Sequence, residues 1–482
     1  MSSTARHATR QRAAHDVLLQ MVMRVLNLAL GVVVTALLAR TLGKDGYGEW
    51  STLFVSLSLV GYTASFGMEK VVVREVAAAP EQEHEWFGAM MALRLMLLVP
   101  AVAVSLATVL VLHSSHQMLI AGSILVLGMP FDGIGVVSLV FQLRVNNLVP
   151  MLVLTLKSVL WAIVVALVFW RHGDMVELAL GLVLTNGIGS IVQTLAALRV
   201  LERWPRPSRR RLAGLLKTGV SLGLSGVLII AYARIDQVIV FTEAGTRAAG
   251  LYGAVYNMLD QAHFVPISVL TTLTPIIAAS WPADRERMLR AVRLAAELLS
   301  VASLGALAFV SVAASPIVRL VFGADFVAGA PALPVLGAAY VFICFGYLNG
   351  TLLTVMGLQG RLLRISLLAL AVNLAGNLVL VPIDGFMGAA WMTLATEIVV
   401  CGASLRVILR TLGLPFPRPG RVGRTVLAAG LLAAGLAGLK GAGAPLAALA
   451  AVSCLCYPAL LFGVRALELS DVRLLLRRVA PA

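Results

Sequence analysis

The chain has 482 residues, of which 60% are hydrophobic and 13% charged, and its mean hydropathy is +0.94. A soluble domain has about 45–50% apolar and about 25% charged residues, so this chain cannot cover a water-facing surface of its size and takes the bilayer as its solvent. An ordinary cytosolic enzyme, a disulfide-stapled secreted domain and a disordered regulator are excluded, and the net charge of +15 must be placed along the chain before it is assigned a partner.

The stretch up to Asp16 is polar and carries Arg6, Arg10 and Arg12. The apolar run after it is too long for a signal-peptide core and lacks a small-residue cleavage site, so it reads as a retained first span. Windows of about 20 apolar residues then recur to the end. They predict fourteen transmembrane helices, near 17–39, 47–67, 87–112, 118–141, 150–170, 175–198, 213–241, 250–279, 291–314, 330–356, 362–382, 386–408, 425–439 and 445–466. The fold class is therefore an all-α polytopic membrane protein. Pro266 and Pro275 are placed to kink the eighth span. Every connection is short, the longest lying near 68–86, 199–212 and 409–424, which leaves no room for a catalytic domain outside the membrane.

An even number of spans puts both termini on one side. With that side cytoplasmic, 27 Lys and Arg fall in inside segments, 6 in outside loops and 5 within spans. This bias predicts cytoplasmic termini. The basic residues sit at membrane boundaries, Arg206, Arg209, Arg210 and Arg211 among them, where anionic lipid headgroups account for them and no nucleic acid is needed. Cys344, Cys401, Cys454 and Cys456 lie in apolar runs without a CxxC or zinc spacing and read as structural thiols.

Two outside turns are alike. Leu42-Gly43-Lys44-Asp45-Gly46-Tyr47-Gly48 follows the first span, and Ala244-Gly245-Thr246-Arg247-Ala248-Ala249-Gly250-Leu251-Tyr252-Gly253 follows the seventh. Both re-enter the membrane at Tyr-Gly and both follow an odd-numbered span, the pattern of parallel repeats related by an axis along the membrane normal.

Charge inside a span is expensive, and its readings are function, a structural salt bridge or snorkelling to an interface. In the first span Arg24, Asn27, Gly31 and Thr35 recur at steps of three and four, one polar helix face. In the seventh, Lys217, Ser221, Ser225, Tyr232 and Asp236 form a second face, while Arg234 points away from Asp236, so the two cannot pair within the helix and one of them must find a partner on another helix or at the outer interface. Arg94 and Lys157 lie close enough to inside ends for snorkelling or function. Asp132, within Met129-Pro130-Phe131-Asp132-Gly133, and Asp260 beside His263 are deep acids, as is Glu397 beside Thr393. Each of these, like Asp236, is a candidate coupling-ion or proton site or half of a structural ion pair. Asn373 and Asn377, one turn apart, either bond between helices or line a cavity. Trp50, Trp86, Trp170, Trp204 and Trp281 fall near span ends and read as interface anchors. No metal-binding His/Glu motif, P-loop, dinucleotide turn or nucleophile elbow occurs, so no catalytic residue, metal or cofactor is expected. Two apparent halves with polar stripes inside spans read as a carrier, and a cavity rich in Arg and Lys suits an anionic cargo.

Nearly end to end, the chain resembles the polysaccharide-transporter family of oligosaccharide flippases, the Wzx-type O-antigen flippases and their exopolysaccharide relatives. That family shares a superfamily with MATE drug exporters and lipid II flippases. The resemblance rests on Arg40-Thr41-Leu42-Gly43 with Tyr47-Gly48, on Phe66-Gly67-Met68-Glu69 with Val73-Arg74-Glu75, and on Asp236 followed by Gly250-Leu251-Tyr252-Gly253-Ala254. It rests further on Pro316-Ile317-Val318-Arg319-Leu320-Val321-Phe322-Gly323 and on Asn373, Asn377, Pro382, Gly385, Gly388-Ala389-Ala390, Thr393 and Glu397.

The resemblance implies two six-helix bundles plus two C-terminal helices around a central cavity, working by alternating access. The expected boundaries are a cytoplasmic tail at 1–16, a bundle at 17–198, a basic cytoplasmic linker at 199–212, a second bundle at 213–411, two additional helices at 412–467 and a tail at 468–482. It implies a bacterial inner-membrane protein that moves polyprenyl-diphosphate-linked oligosaccharide for lipopolysaccharide, exopolysaccharide or capsule synthesis. Membrane lipids, a glycan polymerase and a chain-length regulator are its expected partners. Arg24, Lys217 and Arg234, then Arg94 and Lys157, are the implied diphosphate contacts. A MATE-type exporter and a lipid II flippase are the alternative readings.

Overall fold

The computed structural model describes residues 3–65, 68–134, 139–143, 148–201, 205–414 and 420–466. The described residues are almost entirely helical, with no strand among them. The helices are α1 (Ser3–Ser65), α2 (Met68–Ala78), α3 (Glu83–Leu112), α4 (His116–Ile134), α5 (Leu139–Leu143), α6 (Leu148–Trp170) and α7 (Met175–Leu198). They continue as α8 (Arg209–Ala262), α9 (Phe264–Ser280), α10 (Arg285–Phe322), α11 (Ala332–Val355), α12 (Gln359–Leu412), α13 (Gly420–Gly441) and α14 (Leu446–Gly463).

Ten stretches are long and apolar enough to cross a membrane. Three of them, Val22–Tyr62, Gly226–Ser280 and Gln359–Leu412, contain a glycine break at Gly43, Gly245 and Gly385 and hold two spans each. With the shorter apolar helix His116–Phe131, the described residues contain the fourteen expected segments. The chain is a multi-pass membrane protein. Its outward side chains agree, since large apolar residues are exposed along most of the helices, Ile383 at 76% and Leu455 at 75% among them, as an apolar solvent allows.

Gly43 (φ 63°, ψ −179°) and Gly245 (φ 88°, ψ 174°) adopt almost the same conformation. A side chain there would strain, and glycine lets the helix reverse between consecutive spans within a single residue. The eighth span breaks differently. Its helix stops at Ala262 and resumes at Phe264. Pro266 has no N–H to offer the Ala262 carbonyl, as its position predicts. The Tyr340 hydroxyl of α11 donates to that carbonyl instead, at 2.6 Å. Tyr340→Phe should leave this part-buried acceptor unmade and destabilise the protein by about 1 kcal/mol. A thermal unfolding scan of the purified variant checks this, and an unchanged midpoint would refute the capping role.

The chain forms two compact units, Met1–Gly253 and Ala254–Ala482. The first contains an element that the span count passes over. The loop after the second span holds α2, an amphipathic helix whose Val71, Val72 and Val76 are buried with Trp86, Phe87 and Met90 of α3 and Phe141 of α5. The segment before α8 is laid across the start of α3. The Arg206 N–H donates to the His84 carbonyl at 3.2 Å, and Arg211 meets Glu85 at 3.1 Å while lying 5.0 Å over the Trp86 ring. Trp86 is thus a buried platform rather than an interface anchor, because the basic linker covers it. Trp50 is likewise buried, stacked on Trp161 at 6.3 Å, whereas Trp170 is 78% exposed. Trp204 lies outside the described residues.

In the second unit α10 is the spine. The Lys440 ammonium donates to the Val312 carbonyl at 2.6 Å and the Tyr457 hydroxyl to the Val301 carbonyl at 2.9 Å. Arg421 pairs with Glu297 at 3.2 Å. These contacts fasten the additional helices α13 and α14 to α10. The segment expected as a tail at 468–482 lies outside the described residues.

Candidate functional site

The two similar turns meet within the first unit. A Cβ on Gly48 would stand 1.9 Å from the Thr246 carbonyl oxygen, and one on Gly250 would stand 1.8 Å from that of Lys44. Each glycine therefore receives the backbone of the other turn, a reciprocal contact that fits a two-fold relation between them. The Thr246 hydroxyl donates to Asp45 at 3.3 Å.

Asp236 and Gln237, in the span before the second turn, brace this clasp. Asp236 is 1% exposed and accepts from the Tyr252 hydroxyl at 2.5 Å and from the Gln237 N–H at 2.8 Å. The Gln237 amide donates to the Ala249 carbonyl and to the Ser51 hydroxyl, both at 3.0 Å. One adjacent pair of side chains thus ties both turns to one helix. Gln237 and Tyr252 escape a search for embedded charge because both are neutral. The signal that finds them is burial of a polar group, which a buried site must satisfy. Glu49 extends the brace, accepting from Ser114 at 2.5 Å and from Ser115 at 2.8 Å.

The polar stripe of α1 leads into the same unit. Asn27 donates to Thr155 of α6 at 2.9 Å and to the Met23 carbonyl at 2.7 Å. Its amide oxygen is buried without a hydrogen-bond partner among the described residues. Two residues beyond Thr155, Lys157 lays its stem on Gly189 of α7, where a Cβ would come within 2.3 Å of the Lys157 Cγ. The structure therefore brings Asn27 and the Lys157 segment of α6 together. Arg24 is exposed and Arg234 half-buried. Arg94 stands apart, 3.5 Å from Glu69 of α2, on the wall of a cavity of about 470 Å³. The side chains of Lys217 and Asp132 lie outside the described residues.

In the second unit Asn373 and Asn377 are 2% and 0% exposed. Asn377 donates to the Asn373 side-chain oxygen at 3.0 Å, and Asn373 to the Thr396 hydroxyl at 3.4 Å. Asn373 thus bonds across the hairpin formed by the two halves of α12, while Asn377 bonds within its own half. A Cβ on Gly388 would stand 2.5 Å from the Leu380 carbonyl oxygen, so the spacing from Asn373 to Thr396 specifies that hairpin. Glu397 is 8% exposed, and a Cβ on Gly346 of α11 would lie 3.8 Å from its carboxylate. Asp260 stands 4.0 Å from His263, whose ring packs near Tyr340 at 6.4 Å and Tyr347 at 5.8 Å between ring centres. No group of three or more His, Cys, Asp or Glu placed to hold a metal ion occurs among the described residues.

The family model described as "Polysaccharide biosynthesis protein" matches residues 13–281. No curated protein matches the chain. Among solved structures, the chain is similar to the lipid II flippase MurJ in an inward closed conformation, with a TM-score of 0.70 at 12% identity over 92% of this chain and 98% of that one. It is also similar to a MATE-family multidrug resistance transporter of the MOP superfamily in an inward-facing conformation, with a TM-score of 0.62 at 15% identity over 84% of this chain and 95% of the other. A MOP-superfamily transporter from Pyrococcus furiosus, described as having a binding pocket of reverse polarity, gives a TM-score of 0.62 at 14% identity over 84% and 94%. At these identities the likeness is one of fold.

Proposed function

Because this chain belongs to the polysaccharide biosynthesis protein family, we propose that it is a flippase for polyprenyl-diphosphate-linked oligosaccharide. The observation that carries the reading is the family match, which covers more than half of a chain folded like the MOP-superfamily transporters. The product would feed lipopolysaccharide, exopolysaccharide or capsule synthesis at the bacterial inner membrane. Both termini would be cytoplasmic, and a glycan polymerase and a chain-length regulator would act downstream. The protein would act as a carrier and not as an enzyme, with two six-helix bundles alternating access to a central cavity.

A diphosphate leaving the headgroup layer needs compensating charge, and guanidinium supplies it bidentately. We assign that role to Arg24 and Arg234. Arg24 is exposed within its unit and Arg234 half-buried, and both are guanidinium groups embedded in spans. The stem of Lys157 is held against Gly189 and steadies α6 on α7. Asn27 presents a buried, unpaired amide oxygen beside this stripe, where a sugar hydroxyl could donate. Among the acids, Glu397 is assigned to ion coupling and Asp236 to bracing, since Asp236 already accepts two hydrogen bonds.

The test is the leaflet of the lipid-linked oligosaccharide in a deletion strain, read with an impermeant probe. Cytoplasmic trapping that the restored gene relieves supports the reading. Arg24→Ala and Arg234→Ala should each lower export about 10- to 100-fold with membrane insertion intact, the loss that matches one charge-assisted hydrogen bond pair. Wild-type export from both variants would sink the cationic-cavity idea. Normal glycan with altered drug tolerance would favour a small-molecule exporter, and accumulated lipid II a lipid II flippase.

A further inference from the structure

The cavity beside Arg94 is not needed by the cargo path proposed above, and its shape is that of an amphiphile. It lies wholly in the first unit, between α1, α3, α4 and α7. Its volume of about 470 Å³ falls in the range of about 300–1,000 Å³ typical of small-molecule sites. The wall has a direction. Tyr62 of α1 and Arg94 of α3 mark one end, and Phe54 and Ala101 the other, because the two segments run antiparallel. From Arg94 to Ala101 the rise is about 10 Å. Charge is confined to the Arg94 end, since the Ser58 hydroxyl is spent on the Phe54 carbonyl at 2.6 Å and the lining beyond Tyr62 and Arg94 is otherwise apolar apart from the neutral amide of Asn186.

The charged end also marks the edge of the membrane. The counter-ion of Arg94 is Glu69, whose side chain is 52% exposed while that of Arg94 is 18% exposed. Glu69 sits on α2, the amphipathic helix that connects two spans with its valines turned inward. Joining two consecutive spans, α2 lies where both of them end, at the level of the membrane surface. The pairing distance of 3.5 Å is loose for an ion pair, so an incoming anion can share or displace Glu69.

We propose that this cavity binds one anionic phospholipid of the cytoplasmic leaflet, with the phosphate on Arg94 and part of one acyl chain in the apolar chamber. The complementarity is of sign at one end and of apolarity along the remainder. The lipid would fill the gap between α1, α3, α4 and α7 and would tie α2 to the bundle through Arg94.

The chamber can be plugged without a clash. A Cβ on Gly61 meets no atom within 4 Å, whereas one on Gly128 would strike Val183 at 2.6 Å. The experiment uses the purified full-length protein in nanodiscs containing phosphatidylglycerol and phosphatidylcholine, with retained lipid read by native mass spectrometry. Wild type should retain phosphatidylglycerol at least tenfold over phosphatidylcholine. Arg94→Gln should abolish that preference, Arg94→Lys should keep most of it, and Glu69→Gln should raise phosphatidylglycerol occupancy. Gly61→Leu should lose the retained lipid while its unfolding midpoint stays near wild type. Equal retention of the two lipids by wild type overturns the proposal, as does undiminished phosphatidylglycerol on Gly61→Leu. Displacement of phosphatidylglycerol by a polyprenyl diphosphate at equal concentration would assign the chamber to cargo and overturn it as well.

Discussion

Gly48→Ala and Gly250→Ala should each reduce export below about a tenth of wild type and destabilise the protein by about 1–3 kcal/mol, the range for overpacking a tight contact. The added Cβ atoms would stand 1.9 Å and 1.8 Å from carbonyl oxygens of the opposite turn. These are backbone atoms, so no rotamer change relieves the clash and the turns must part. Parting them strains the Thr246–Asp45 bond and pulls Ser51 from the Gln237 amide, and the loss spreads from one methyl to the whole clasp. If the turns form the periplasmic closure, as the charge bias along the chain implies, the same substitutions should also favour the periplasm-open state. The measurements are the unfolding midpoint of the purified variants and glycan export from a deletion strain. Gly46→Ala is the control, because its Cβ would meet only the Leu42 side chain, at 3.3 Å. Midpoints and export at wild-type level for both Gly48→Ala and Gly250→Ala would show that the turns do not touch as described.

The turns also show what a linear reading can reach. The shared Gly-to-Tyr-Gly spacing is visible in the sequence because it encodes a local requirement, a reversal at one positive-φ residue followed at once by a helix. The span count is legible for a similar reason, since apolar length is a property of each segment alone. The Asn373–Asn377–Glu397 pattern is legible as a motif, yet its structural meaning depends on Gly385 folding α12 back so that Asn373 reaches Thr396. What the sequence hides is pairing across distant segments. Trp86 looks like an interface anchor until Arg211, 125 positions further on, is found above its ring. Arg94 looks like one more embedded cation until α2 is seen to bring Glu69 to it. Tyr340 carries no charge and no motif, and its task is set by a proline in another helix. Embedded charge is a local signal for function, whereas satisfaction of a buried polar group is a property of the assembled fold.

That distinction yields the second large effect, at Asp236. Asp236→Ala should destabilise the protein by about 3–5 kcal/mol, because hydrogen bonds to a charged group are worth about 1.5–3 kcal/mol each and two would go. The Tyr252 hydroxyl and the Gln237 N–H would both lose the carboxylate as acceptor. Asp236→Asn separates bracing from ion carriage. An asparagine oxygen can still accept from the Gln237 N–H, and its NH₂ can donate to the Tyr252 oxygen once that hydroxyl turns, so the brace survives with one bond reversed. A carboxylate that carries a proton or sodium ion has no such substitute, since an amide neither titrates nor balances a cation. Bracing therefore predicts that Asp236→Asn keeps at least half of wild-type export and loses no more than about 1 kcal/mol of stability, with Asp236→Ala far worse on both counts. Ion carriage predicts the opposite pattern, in which both variants stop transport and Asp236→Asn unfolds at the wild-type midpoint. Export and thermal unfolding of the two variants, measured side by side, decide between them. Glu397→Gln run in parallel asks the same question of the acid assigned to coupling, where loss of export at an unchanged midpoint is the expected result.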